Sequence, residues 1–202
     1  MTTTSTLAFV FIVLTAMMIL VFRDWRINAV ALGLQYLAVF GLVTLSWPIG
    51  MAVVKLIVGW MATAAIALTC IRQMKTDSLS ESTSSLFFRA IAGIVVIIVI
   101  FVLAPRLQEA MFPQVALIIV QGGLMLIGMA LMQLGTNSEA YLTIISLLSL
   151  LAGFEVIHAA LELSTLLTGL LVITNLGLAL VGVYFIVKSG DTTGNSEKEK
   201  LQ

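Results

Sequence analysis

Apolar runs long enough to cross a bilayer recur along this chain, and they constrain its fold more than any other feature. An α-helix rises about 1.5 Å per residue, so a hydrocarbon core of roughly 30 Å requires about 20 apolar residues. Backbone N–H and C=O groups find no water there, so each run must satisfy its own as a helix. Seven spans are predicted, at about 7–22, 29–46, 49–71, 87–104, 115–135, 140–163 and 165–187. The expected fold class is an all-α polytopic membrane protein. Of 202 residues 60% are hydrophobic and only 10% charged, too little polar surface for a soluble domain of this size.

Several classes of function are excluded early. The formal charge is zero, so no basic patch recommends nucleic acid as a partner. A single cysteine, Cys70, rules out an internal disulfide and any multi-cysteine metal or iron–sulfur site. Residues 1–6 lack the positive start of a signal peptide, and no A-x-A step precedes Arg23. Gly-x-Ser-x-Gly, P-loop and dinucleotide-binding signatures are missing, and no nucleophile–base pair or metal-ligand cluster can be assembled. No catalytic residue, cofactor or metal is expected in this chain.

Lys and Arg set the orientation. With the N-terminus outside, Arg23, Arg26, Arg72, Lys75, Arg89, Lys188, Lys198 and Lys200 fall inside, while Arg106 falls outside and Lys55 lies within a span. The bias predicts N-out, C-in. Pro48 marks a tight hairpin between spans two and three, and spans six and seven meet near Ser164. The serine-rich stretch 76–86 reads as a cytoplasmic connector. Pro105–Gln114 reads as an outer-surface turn with Met111 and Phe112 dipped toward lipid, and 189–202 as a disordered tail.

A faint internal repeat is visible. Gly33-Leu34-Gln35 in span two matches Gly153-Phe154-Glu155 in span six, and each is followed twenty positions later by a polar residue, Lys55 and Asn175. Two parallel three-helix units, 1–75 and 115–188, would then be joined by a linking span and outer loop over 87–114.

The chemistry is concentrated in LLAGFEVIHAALEL, residues 150–163, where Glu155, His158 and Glu162 share one helical face. A charged group at mid-bilayer costs roughly 2.5 to 3.5 kcal/mol on insertion scales, so such groups usually face protein or trapped water. Glu155, near the middle of its span, is the strongest candidate for a proton relay; the bland alternative is a carboxyl that glues helices together. His158 is either a relay partner or a neutral histidine bonded to a neighbouring helix, and a haem pair would need a second histidine. Glu162 suits a relay exit as well as simple solvation at a helix end. Lys55 either snorkels outward or pairs with an acidic group on a partner subunit. Gln35, Gln121, Asn175 and Thr174 are supporting polar residues, with interhelical hydrogen bonding the favoured role for the three amides. Gly122, Gly123 and Gly128 read as close helix packing.

Residues 150–163 resemble the second helix of the complex I K subunit and of the matching Mrp-type antiporter C subunit, with a Gly-x-Glu step in an apolar run. The next helix, ITNLGLALVGVYFIVK, is similar to that family's third. The longer, seven-span layout resembles component E of hydrogenase-4, a membrane-arm protein of formate hydrogenlyase-type complexes. The family's third helix carries a second buried glutamate, where this chain has Ile173, Thr174 and Asn175. The resemblance implies a multi-pass subunit of the cytoplasmic membrane, packed among antiporter-like subunits of a redox-driven, ion-translocating complex whose redox centres sit on other chains. A structural or assembly subunit and a stand-alone small transporter are the alternatives.

Overall fold

The computed structural model describes residues 2–73, 83–137, 139–162 and 164–199, with the backbone alone for 2, 83 and 190–199. Among the described residues seven helices follow one another: α1 (Thr2–Val21), α2 (Trp25–Val43), α3 (Ile49–Gln73), α4 (Thr83–Met111), α5 (Leu117–Thr136), α6 (Ala140–Leu161) and α7 (Thr165–Glu199). Each is long and apolar enough to cross a membrane. The protein is an all-α, multi-span membrane protein, as its apolar runs require.

The breaks between helices have local causes. Asp24 caps α2, its carboxylate accepting the Arg26 backbone N–H at 2.9 Å, which supplies one of the acceptors that first-turn amides lack. Pro48 closes the α2–α3 hairpin, its carbonyl accepting from Ala52 as α3 begins. At the α6–α7 break Ser164 accepts the Leu167 N–H through its hydroxyl at 3.4 Å.

Two segments differ from the sequence reading. Pro105 does not end α4; the helix continues through it to Met111. Proline removes one backbone hydrogen bond, but membrane helices tolerate that loss where neighbours and local adjustment re-satisfy the carbonyl. Met111 is exposed, while Phe112 packs against the core instead of turning to lipid. Beyond Lys188, α7 runs on as helix to Glu199 where an irregular tail over 189–202 is expected. Residues 190–196 are poor helix formers, but the tail holds no proline, so no backbone hydrogen bond is lost along it. The connector read at 76–86 lies mostly outside the described residues.

Neighbours in sequence pack as neighbours, α1 on α2, α2 on α3, α5 on α6 and α6 on α7. Across the bundle, α1 meets α5, α2 meets α6 and α3 meets α7. Close approach depends on glycine. A Cβ at Gly153 would stand 2.7 Å from the Gly123 carbonyl, and one at Gly123 would stand 2.9 Å from that of Gly153, so α5 and α6 touch backbone to backbone. Gly122 and Gly128 likewise admit Leu42 and Ile100, as their small size suggests. The outlier is α4, which lies against α5 and α1 and turns most of its surface outward.

Candidate functional site

On α3, buried residues recur at three- and four-residue steps, Ala52, Lys55, Val58, Gly59, Ala62, Thr63 and Ile66, so this face is turned into the bundle. It carries Lys55 inward with it. Glu155 sits on the inner face of α6, between Ala152 and Val156. The two meet at 3.3 Å from Nζ to Oε2, with side chains only 6% and 4% exposed. Lys55 therefore does not snorkel outward, and its acidic partner belongs to this chain and not to another subunit. Desolvation decides this: an ammonium in the bundle interior needs a counter-charge, and Glu155 supplies it.

Two aromatic side chains complete the surroundings. The Lys55 ammonium stands 4.8 Å from the Trp47 ring centre, within cation–π range, on the turn that precedes α3. Tyr36 of α2 lies against Gly59, one helical turn from Lys55; a Cβ there would run into the tyrosine ring. The Tyr36 hydroxyl donates to Asn175 Oδ1 of α7 at 3.3 Å. Four helices thus contribute to one buried polar cluster. It sets a lysine–glutamate pair and a neutral hydroxyl–amide bridge side by side within the bundle.

The remaining sequence candidates divide. Asn175 joins the cluster through Tyr36. His158 is half-buried, its ring 5.9 Å from that of Phe154, and its Nδ1 is buried without a hydrogen-bond partner among the described residues. It shares a helix with Glu155, but no hydrogen bond or ion pair joins them among the described residues. Glu162 is exposed at the end of α6, its backbone N–H bonded to the His158 carbonyl. Thr174 is exposed and turns its hydroxyl back to the Leu170 carbonyl at 2.9 Å, away from the cluster. Gln121 is half-buried on α5. Gln35 is buried but faces α1, α5 and α6 at a small pocket apart from the ion pair.

Sequence reasoning missed Tyr36 and Trp47, which look like ordinary aromatic filling when charges alone are followed. It also missed a polar knot at one end of the bundle. There Asn137 Oδ1 accepts from Arg23 at 2.8 Å and from Arg89 at 3.2 Å, while the Tyr141 hydroxyl donates to the Arg23 carbonyl. These contacts bring the C-terminal ends of α1 and α5 to the N-terminal ends of α4 and α6. No group of three or more metal-capable side chains occurs among the described residues.

Comparison with protein-family models, with curated proteins and with solved structures returns no match.

Proposed function

We propose that this protein is a small integral subunit of a complex I-related, ion-translocating redox assembly, similar to component E of hydrogenase-4, and that Glu155 contributes to its proton path. The observation that carries this reading is the Lys55–Glu155 pair, 3.3 Å apart and enclosed by helices. A lysine beside a carboxylate in a dry interior gives the two charges a partner-dependent protonation state, which a relay can use. His158 and Glu162, further along α6, would carry protons between that pair and the membrane surface. The chain would lie N-out and C-in in the cytoplasmic membrane, among antiporter-like subunits, with cofactors on other chains. The packing of α1 on α5, α2 on α6 and α3 on α7 supports two related three-helix units, since each helix meets its counterpart.

The test is the chain in its native membrane, carrying Glu155→Gln. Co-purification with other membrane subunits, normal assembly and loss of proton translocation per turnover are the expected results. A chain that extracts alone, or unchanged translocation in an assembled variant, would overturn the reading.

One observation favours a second reading. Lys55 and Glu155 compensate each other, and together with Tyr36–Asn175 they tie α3 to α6 and α2 to α7. A purely structural role would leave translocation intact in every variant that still assembles.

A further inference from the structure

A second buried polar place lies away from the ion pair. Gln35 of α2, Ser149 of α6 and Gln133 of α5 line a small pocket with Ala16, Ile19 and Met129, every one of them buried. Its room is on the scale of one water molecule. Gln133 is already engaged, its Nε2 donating to the Ile19 carbonyl at 2.9 Å. Gln35 is not. Both its Nε2 and its Oε1 are buried without a partner among the described residues, and the same holds for Ser149 Oγ. Ser149 stands in contrast to Ser146 on the same helix, whose hydroxyl turns back to the Leu142 carbonyl at 2.7 Å.

Buried polar atoms without partners are costly, and native interiors rarely leave three together. An amide offers two donor hydrogens and an acceptor oxygen, and a hydroxyl offers one donor and two lone pairs. Together they can give a guest molecule both donors and acceptors. The named lining side chains carry no charge, which suits a neutral guest over an ion. The geometry points to a buried water-binding site between Gln35 and Ser149. The water bridges α2 to α6, accepting a hydrogen bond from the Gln35 amide N–H and donating one to Ser149 Oγ. It sits about 9 Å along α6 from Glu155, six residues at the helical rise. This site goes beyond the proton-path reading and stands or falls without it.

X-ray radiolytic labelling of the full chain in detergent or nanodiscs tests the proposal. Radiolysis turns a bound water into hydroxyl radical, which adds to the sulfur of an adjacent thioether; dissolved dioxygen then takes one electron from that adduct, a proton is lost, and the sulfoxide remains. Met129 lines the pocket at 3% exposure, whereas Met125, one turn earlier and 0% exposed, does not. Met129 is expected to oxidise several-fold faster than Met125 in the unaltered protein. The doubly apolar Q35L/S149A chain is expected to bring the two rates together. Equal rates in the unaltered protein would overturn the site, and that arm needs no variant to fold. A Met129 excess that persists in a folded Q35L/S149A chain would overturn it too.

Discussion

Two crossings in the bundle are built from opposite chemistry. Lys55 of α3 meets Glu155 of α6, and Asn175 of α7 meets Tyr36 of α2. Each joins one of the first three helices to one of the last three. The first joins a lysine to a glutamate, both with low exposure; the second is a neutral hydroxyl–amide bond. Neutral bonds between membrane helices are worth about 0.6 kcal/mol on average and up to about 1.7. A buried ion pair is a different object: its two halves can nearly cancel in net stability, yet losing one half leaves an uncompensated charge worth about 3–5 kcal/mol. The charged crossing is thus fragile to single changes in a way its neutral counterpart is not.

The largest expected effect breaks the charged crossing from one side. K55M or E155L alone should each cost about 3–5 kcal/mol, while K55M/E155L together should regain most of the loss. Reversible unfolding in mixed micelles measures this, and a double variant no better than the singles would refute the pairing. Next comes the wall between the crossings. G59A places a methyl against the Tyr36 ring and should cost about 1–3 kcal/mol by overpacking, with Y36A/G59A relieving the clash. Smaller still, Y36F should cost about 0.6 kcal/mol, and adding N175L should cost little more because the bond is already gone. At the lower end, E162Q and T174V should stay within about 0.5 kcal/mol of the unaltered chain, since both side chains are exposed. A large loss from either would mean the polar cluster extends along α6 or α7 further than its contacts indicate.

These crossings also mark how far the sequence can be read. Helix number followed from run length, because lipid leaves a long apolar segment almost no other option. Helix ends were harder. Pro105 reads as a stop, yet within a membrane it can be accommodated, and α4 passes through it. Glu155 was legible as a buried acid because a charge in an apolar run is costly and conspicuous. Its partner was not, since pairing Lys55 with a residue one hundred positions away depends on how α3 and α6 face each other. Tyr36 was invisible for a different reason: a tyrosine in lipid looks like packing until the hydroxyl's acceptor is known. Ser149 was hidden similarly, because a helical serine usually bonds its own backbone, as Ser146 does.

The hundred residues between Lys55 and Glu155 also set an order of events during synthesis. Elongation at roughly 5–20 residues per second delivers the glutamate about 5–20 s after the lysine. Throughout that interval the first three helices hold an ammonium with no counter-ion of their own. Its four-carbon stem can reach toward headgroups in the meantime, so the final inward turn of α3 belongs to the arrival of α6, and a nascent chain halted before Glu155 should leave Lys55 open to water-borne amine reagents.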